Sequence, residues 1–172
     1  ELFKKDVKKI KLAYSIMLSL PGTPVLYYGD EFGKSNDESY YKEMIQLSGK
    51  DDTRFLVRGK VDWADVEKQL TNPDSFESQI FSGLSNMIQN RKKFGAFGRG
   101  EMKWIDHHNK ALLIYQRSFE NENILIMQNL SKTDIICDKE GSLGEKDILG
   151  QTLKYESGKL VVPAYSYYWI KL

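Results

Sequence analysis

The sequence contains one cysteine and two histidines, and this scarcity removes several kinds of site. Cys137 has no partner in the chain, so neither an intramolecular disulfide nor a cysteine-rich zinc site can form. His107 and His108 are adjacent, and no further histidine or cysteine completes a metal shell around them. We expect both to mark a turn with Asn109. The sequence therefore predicts no metal and no other cofactor.

Long apolar runs and a large excess of one charge are also missing. No run is long enough for a membrane-spanning helix, and no secretory signal is present. The net charge of +1 leaves no concentrated basic surface for nucleic acid. We therefore expect neither a membrane nor a nucleic acid as partner. The chain does not begin with methionine, so we expect a piece of a longer protein whose compartment stays open, with the cytoplasm favoured.

Residues 22–33, GTPVLYYGDEFG, are the most informative stretch. A short apolar and aromatic run between glycines predicts a buried strand over residues 23–28. Predicted helices on both sides make this strand part of a parallel β/α unit. In barrel and doubly wound folds the chemistry lies at the carboxyl end of such strands, where Asp30 and Glu31 follow here.

Helical spacing predicts four helices. The first, over residues 2–20, has an apolar seam and lysines on its opposite face. Its seam consists of Phe3, Val7, Ile10, Tyr14 and Met17. Two short helices, 38–47 and 64–70, lie within a polar connection over residues 30–72. The fourth covers residues 74–93, with Asp74 as its N-cap and Glu77 reaching back as in a capping box.

After residue 98 the pattern changes to short alternating runs separated by turns, which is typical of an all-β sandwich or barrel. The predicted strands lie around 102–104 and at 111–115, 124–127, 133–137, 152–155, 160–162 and 165–170. The predicted turns lie at 107–109, 120–123, 139–141 and 157–158. The fold class is an α+β fragment that divides into residues 1–97 and residues 98–172.

Residues 22–33 resemble the eighth barrel strand of the α-amylase family of retaining α-glycoside hydrolases and transglycosylases. The first and fourth predicted helices resemble the seventh and eighth barrel helices of that family. ILIMQNLS at 124–131 and LVVPAYSYYW at 160–169 are similar to strands of its C-terminal sandwich. The resemblance implies the last β/α unit of a TIM (β/α)8 barrel in residues 1–97 and an antiparallel β-sandwich in residues 98–172.

The connection after the strand narrows the resemblance. GDEFG at 29–33, Asn36-Asp37 and DTRFLVR at 52–58 look like the amylosucrase branch, and the trehalose synthase branch is also similar. Amylosucrases tend to have Trp at the position of Phe55 and His-Arg-Pro at 57–59. Sucrose specificity therefore does not follow from the resemblance.

The resemblance implies that α-glucosyl units of an α-glucoside or oligosaccharide are hydrolysed or transferred by retaining double displacement. That reaction needs a nucleophilic carboxylate and a carboxylic acid close together. In the family these groups precede the part that matches Glu1, so we expect no catalytic residue here and no activity of this chain alone. Asp30 and Glu31 would point to opposite faces of a strand. We expect them to fix the loop and to pair with neighbouring cations.

Five residues are candidates for substrate binding: Tyr28, Arg54, Arg58, Asp62 and Trp63. Tyr28 either reaches the pocket or packs in the barrel. The arginine that matches Arg54 in amylosucrase-like members lies at the floor of the glucose pocket, paired with a carboxylate from an earlier loop. A surface loop arginine is the alternative. Arg58 and Asp62 could line acceptor subsites, and Trp63 either stacks on a sugar ring or anchors its helix.

Two other interpretations stay open. The chain could be a non-catalytic module whose sandwich binds an oligosaccharide or another subunit. Two copies could also associate and cover each other's apolar surfaces, since leaving these open to water is costly. Trp104, Tyr115 and Trp169 are expected to fill the sandwich core, because aromatic residues in strands are mostly buried.

Overall fold

A computed structural model describes residues 3–137 and 143–172 of the chain. The helices are α1 (Val7–Ser19), α2 (Glu38–Ser48), α3 (Trp63–Leu70), α4 (Phe76–Lys93) and α5 (Gly95–Gly98). The strands are β1 (Glu101–Trp104), β2 (Leu112–Phe119), β3 (Glu122–Asn129), β4 (Ile135–Cys137), β5 (Lys154–Glu156), β6 (Lys159–Val162) and β7 (Tyr167–Lys171). Short 3₁₀ turns lie at Asp30–Phe32 and Thr53–Val57. The predicted turn at 139–141 and the predicted helix start at Leu2 lie outside the described residues.

The chain divides into two compact units, and one of the three boundaries between them falls within α4. The first unit combines the residues up to Val7 with Leu26–Ser82, and the second combines Lys8–Val25 with Gly83–Leu172. The predicted division into residues 1–97 and 98–172 stays a prediction about the parent fold. The units of this chain follow another division because α1 packs with the C-terminal strands.

The second unit contains two antiparallel sheets, as predicted. One sheet has the strand order β1-β2-β3-β7, and the other has the order β4-β6-β5. The central pair of the larger sheet, β2 and β3, places Tyr115 opposite Ile126. Alternating short strands with turn residues between them form hairpins of this kind, and local turn chemistry sets their register.

Both faces of the larger sheet are covered. Ile124 and Ile126 of β3 belong to a core shared with α1, α4 and α5. Leu125 and Met127, which point to the opposite face, belong to a second core shared with the smaller sheet. Burial on both faces explains why β3 is a continuous apolar run and not an alternating one.

Helix α1 turns a different face inward from the predicted one. Its most buried residues are Leu12, Ser15, Leu18 and Ser19. The predicted seam is only half-buried. The reason is that the two serines meet polar side chains of the larger sheet, which a count of apolar residues does not detect.

Two of the three predicted core aromatics are fully buried, namely Tyr115 and Trp169. The prediction is wrong for Trp104, which is exposed. Trp104 lies on β1, at the edge of its sheet, and meets Tyr115 edge-on with a centroid distance of 5.1 Å. An edge strand leaves one flank of such a side chain open to water.

The first unit has a smaller core, which includes Phe32, Val66 and Ile80. The N-cap predicted at Asp74 is wrong. The Oγ of Ser75 accepts the hydrogen bond from the Ser78 N–H at 3.0 Å, so Ser75 caps α4. Serine and aspartate are comparable caps, and the helix begins one residue later than the sequence indicated.

The predicted buried strand over residues 23–28 is absent from this chain. Residues 23–27 form no regular element, and Val25 is 78% exposed. The main-chain groups of Thr23, Val25 and Leu26 make no hydrogen bond to any residue that the structure describes. A strand needs a neighbouring strand for its hydrogen bonds, and the described part of this chain supplies none here.

Candidate functional site

A sharp turn follows the exposed segment and builds the candidate site of the first unit. Gly29 and Gly33 take positive φ angles of 96° and 72°, which favour glycine, on either side of the 3₁₀ turn. The Asp30 carboxylate accepts a hydrogen bond from the Tyr27 N–H at 2.9 Å. The Glu31 carboxylate accepts one from the Gly29 N–H at 2.7 Å.

Both carboxylates therefore fix the turn, as the sequence predicted. The predicted pairing with cations is not seen, because neither Asp30 nor Glu31 forms an ion pair with a described residue. Each carboxylate is committed to a main-chain group of its own turn. This arrangement differs from the two facing carboxyl groups of a retaining glycosidase, which flank one glycosidic bond.

A shallow pocket of about 230 Å³ opens beside this turn. Its lining consists of Tyr27, Tyr28, Gly29, Asp30, Lys34, Ser35 and Val57. The rings of Tyr27 and Tyr28 lie 4.6 Å apart, tilted by 45°, and both are partly exposed. The pocket thus combines two aromatic surfaces with one carboxylate and one ammonium group.

Tyr28 is held from its hydroxyl end. Its hydroxyl donates to the Gly59 carbonyl at 3.2 Å, and the Lys34 ammonium donates to the same oxygen. The Lys34 Nζ also lies 5.0 Å from the centroid of the Tyr28 ring, within cation–π range. Loss of hydration, with a smaller contribution from Tyr27, raises the pKa of Tyr28. The ring is thereby oriented at the pocket wall.

Gly59 is the point where two loop segments meet, and it was not among the predicted site residues. A Cβ at this position would lie 2.7 Å from the Asp37 Cβ, so the backbone approaches too closely for a side chain. The Asp37 N–H donates to the Leu56 carbonyl at 2.7 Å. These contacts join the segment around Asp37 to the turn that carries the two arginines, Arg54 and Arg58.

Arg54 forms a bidentate pair with Asp52, two residues earlier. Its Nε and Nη2 donate to the Asp52 carboxylate at 2.8 and 2.5 Å, and its main-chain N–H also donates to Asp52 at 3.0 Å. These hydrogen bonds lower the pKa of Asp52 to about 2. The partner in this chain is therefore a neighbour in the same turn, and pairing with a carboxylate from an earlier loop stays a prediction. The compact 3₁₀ geometry makes this local pairing possible.

The remaining predicted residues do not line the pocket. The Arg58 N–H closes the 3₁₀ turn by donating to the Phe55 carbonyl at 3.2 Å. Asp62 caps α3 by accepting from the Asp65 N–H at 3.1 Å. Trp63 is 56% exposed and meets Phe32 edge-on with a centroid distance of 6.0 Å. Of the five candidates, the structure brings Tyr28 to the pocket and places the other four on the segment that follows Asp52.

Lys34 lines the pocket and was not among the predicted residues. Its partner Gly59 is 25 positions away. Neither residue belongs to a periodic pattern in the sequence. The feature that singles out Gly59 is its close approach to Asp37, which is visible only in the structure. Among the described residues, no group of His, Cys, Asp and Glu could hold a metal ion, and no helix is long and apolar enough to cross a membrane.

No protein-family model matches the chain. Individual curated proteins do. The chain is 28% identical over 182 residues to "Alpha-amylase 3" of Dictyoglomus thermophilum, which covers 99% of this chain and 35% of that protein. It is 30% identical over 154 residues to the trehalose synthase of Pimelobacter sp., covering 76% of this chain and 26% of that protein. The chain thus spans about a third or less of the length of these relatives.

Solved structures share the fold. The debranching enzyme of Nostoc punctiforme superposes with a TM-score of 0.66 at 19% sequence identity. The match covers 97% of this chain and 31% of the debranching enzyme. The trehalose-6-phosphate hydrolase of Bacillus licheniformis matches 95% of this chain and 38% of its own with a TM-score of 0.64 at 18% identity. The predicted likeness to trehalose synthases is confirmed by the sequence relatives, and the likeness to amylosucrases stays a prediction.

Proposed function

Because this chain belongs to the α-amylase family, we propose that it is the C-terminal part of an enzyme that hydrolyses or transfers α-glucosyl units. The observation that carries this proposal is the similarity to an α-amylase along 99% of the chain. The reaction would follow the retaining route, in which one carboxylate attacks the anomeric carbon and a carboxylic acid protonates the leaving oxygen. Neither group is assigned to this chain.

Residues 23–28 have the role of a barrel strand in this proposal. Neighbouring strands of the parent enzyme would supply partners for the unbonded main-chain groups of Thr23, Val25 and Leu26. They would also cover Val25, which is 78% exposed here. Pairing would satisfy the backbone and remove apolar surface from water, and both effects favour a strand at this place.

The first unit contributes binding groups in this proposal. An α-glucoside is a neutral polyol, whose C–H surface packs on aromatic rings and whose hydroxyls need donors and acceptors. Tyr27 and Tyr28 offer the rings, and Lys34 offers a donor at the same pocket. Arg54 is neutralised on one edge by Asp52, while its Nη1 makes no hydrogen bond to a described residue and stays available for a sugar hydroxyl.

The chain by itself is proposed to be inactive. Asp30 lines the pocket, and Glu31 follows it in the sequence. Each carboxylate already accepts a main-chain hydrogen bond of the turn. Moving either residue to a substrate would dismantle the turn that orients Tyr28. This commitment supports the proposal that the catalytic pair comes from another part of the parent enzyme.

The test compares this chain with a longer protein that also includes the coding sequence preceding Glu1. Sucrose, trehalose and maltodextrin are the substrates, and both released monosaccharides and new transfer products are assayed. We expect the longer protein to hydrolyse or transglycosylate at least one of them and this chain to convert none. A folded longer protein that neither hydrolyses nor transfers glucosyl units from any substrate would contradict the proposed activity. Conversion of a substrate by this chain alone would contradict the proposal that the catalytic groups lie outside it.

A further inference from the structure

A second pocket lies in the second unit, at the outer edge of the smaller sheet. It has a volume of about 470 Å³, which is within the usual range for small-molecule sites. Its lining consists of Gly144, Glu145, Lys146, Thr152, Leu153 and Tyr155. None of these residues takes part in the candidate site of the first unit.

Tyr155 provides a fixed aromatic surface at this pocket. It belongs to β5, an outer strand of its sheet, and its side chain is 38% exposed. Its hydroxyl accepts from the Leu143 N–H at 3.1 Å and donates to the Gly144 carbonyl at 3.0 Å. Two hydrogen bonds to the main chain hold the ring in one orientation before any ligand binds, which lowers the entropic cost of binding.

The opposite wall is a short hairpin that is anchored to the core. The Leu153 N–H donates to the Glu145 carbonyl at 2.8 Å, and Lys146 pairs with Thr152 across the hairpin. The buried Asp147 carboxylate closes the turn by accepting from the Leu149 and Gln151 N–H groups at 3.0 and 2.8 Å. Asp147 also accepts from the Trp169 N–H at 3.1 Å, which ties the hairpin to β7.

The charged side chains among the described lining residues are one carboxylate, Glu145, and one ammonium group, Lys146. Glu145 and Lys146 are both exposed, and neither forms an ion pair with a described residue. Among the described lining residues, one carboxylate and one ammonium group give an acceptor and a donor with no net charge, and Thr152 adds a hydroxyl. Such a site does not favour a phosphate or a cation. It suits a neutral ligand with many hydroxyl groups and one apolar face.

We infer that this pocket binds a neutral saccharide, with Tyr155 stacked against the sugar ring and Glu145, Lys146 and Thr152 bonded to hydroxyls. This binding site is separate from the proposed catalytic function and needs no activity of the chain. Only the choice of an α-linked glucose oligomer as the probe rests on the proposed function.

The experiment titrates the isotope-labelled 172-residue chain with maltotriose and, in parallel, with inorganic phosphate, and follows the amide signals by NMR. Maltotriose is expected to shift the amides of Lys146, Thr152 and Leu153, and phosphate is not. Tyr155→Ala is expected to weaken binding about tenfold or more through loss of the stacking surface. Tyr155→Phe keeps the ring but loses both hydrogen bonds of the hydroxyl, so it is expected to weaken binding less than Tyr155→Ala does.

Two further variants separate loss of binding from loss of folding. Glu145→Ala changes an exposed side chain and is expected to weaken binding while the other amide signals stay in place. Trp104→Ala removes an exposed aromatic side chain from the other sheet and is expected to bind like the wild type. Shifts caused by phosphate alone, the absence of any maltotriose shift at these amides, or unchanged affinity in Tyr155→Ala would overturn the inference.

Discussion

The indole Nε1–H of Trp169 donates a hydrogen bond to the Oγ of Ser15 at 2.9 Å, across 154 positions of the chain. The same Oγ accepts from the Gln128 side-chain amide at 3.2 Å. All three residues are fully buried. One serine hydroxyl of the first helix therefore satisfies donors from two strands of the larger sheet.

Replacing Ser15 by alanine should destabilise the second unit. The substitution leaves the indole N–H of Trp169 buried without its acceptor, and an unsatisfied buried group costs about 1–3 kcal/mol. We expect the free energy of unfolding, measured by urea denaturation and tryptophan fluorescence, to fall by an amount in that range. Ser82→Ala is the matched control, because Ser82 is an exposed serine on a helix and its loss should change stability by less than about 0.5 kcal/mol. Equal effects of the two variants would show that the buried hydrogen bond contributes nothing.

Arg117 is almost completely buried and pairs with carbonyl groups. Its guanidinium donates to the Ser19, Phe97, Gly100 and Glu101 carbonyls at 2.8, 3.0, 2.9 and 3.3 Å. Burial lowers the pKa of Arg117, with a smaller contribution from Arg91. It forms no ion pair with a described residue, so the dipoles of these carbonyl groups stabilise its buried charge.

Arg117→Lys should therefore be costly although it conserves the charge. One ammonium group cannot reproduce the planar fork that reaches four separate carbonyls. We expect the free energy of unfolding to fall by at least about 2 kcal/mol, as for one or more buried groups left unsatisfied. Arg99→Lys serves as the comparison, because Arg99 is exposed and stacks on Phe119 at 4.4 Å. A variant at position 117 that unfolds at the same urea concentration as the Arg99 variant would refute the expectation.

The pair of Asp52 and Arg54 predicts an unusual acid titration. The carboxyl pKa is lowered from 3.8 to about 2, so the folded state favours the charged form more than the unfolded state does. Stability from this pair is therefore present above pH 3.8 and is lost as the pH falls through about 2. Its size should be small because the pair is exposed.

The measurement for this pair is an NMR titration of the Asp52 side-chain carboxyl carbon. We expect a midpoint of about 2 in the wild type and a return toward 3.8 in Arg54→Gln. Lys50→Gln removes a nearby cation without touching the bidentate pair, and its midpoint should stay with the wild type. An identical midpoint in wild type and Arg54→Gln would rule out the pairing in solution.

Gly59→Ala should loosen the candidate site through Asp37. The added methyl group collides with the Asp37 side chain, whose carboxylate caps α2 by accepting from the Tyr40 N–H at 2.9 Å. Losing this cap costs about 1 kcal/mol, and we expect faster amide exchange in α2 as a result. Gly98→Ala is the control, since a Cβ there meets nothing within 4 Å. Protection of α2 amides equal to that of the Gly98 variant would contradict the proposed collision.

Arg54→Lys should impair the proposed longer enzyme at the binding step. A lysine keeps the charge but loses the fork that binds Asp52 and a substrate hydroxyl at once. We expect KM to rise about tenfold with a smaller change in kcat, because the arginine is proposed to bind the substrate in its ground state. Lys68→Arg, on the exposed side of α3, should leave both constants unchanged. A fall in kcat at constant KM would instead assign Arg54 to the transition state.

Local patterns predicted most of the regular elements. Helices α1 to α4 and the antiparallel strands lie close to their predicted positions, because apolar periodicity and turn residues act over a few neighbours. The wrong predictions concern residues whose conformation or burial depends on residues far away in the sequence. The segment at 23–28 has the composition of a strand but no partner strand among the described residues, and Trp104 sits at a sheet edge that no pattern marks.

The same distinction between local patterns and distant contacts applies to the residues of the candidate site. Tyr28 was predicted and lines the pocket, whereas Lys34 and Gly59 were not. Their contact joins segments 25 positions apart, and a glycine reveals its role only when another chain segment approaches it closely. Asp62 and Trp63 were candidates for substrate binding, with a helix anchor as the alternative for Trp63. The structure shows Asp62 as a helix cap and Trp63 packed against Phe32, and a role toward substrate stays a prediction.

The amino-acid sequence by itself indicated the likeness to the α-amylase family, predicted the order of helices and strands, and excluded an intramolecular disulfide. These properties depend on residue identity and on spacing within single elements. Only the tertiary structure decided which polar groups meet: Ser15 with Trp169, Arg117 with four carbonyls, and the Tyr155 hydroxyl with the main chain of Leu143 and Gly144. A buried polar group is stable only beside its partner, and that partner is brought near by packing and not by sequence distance.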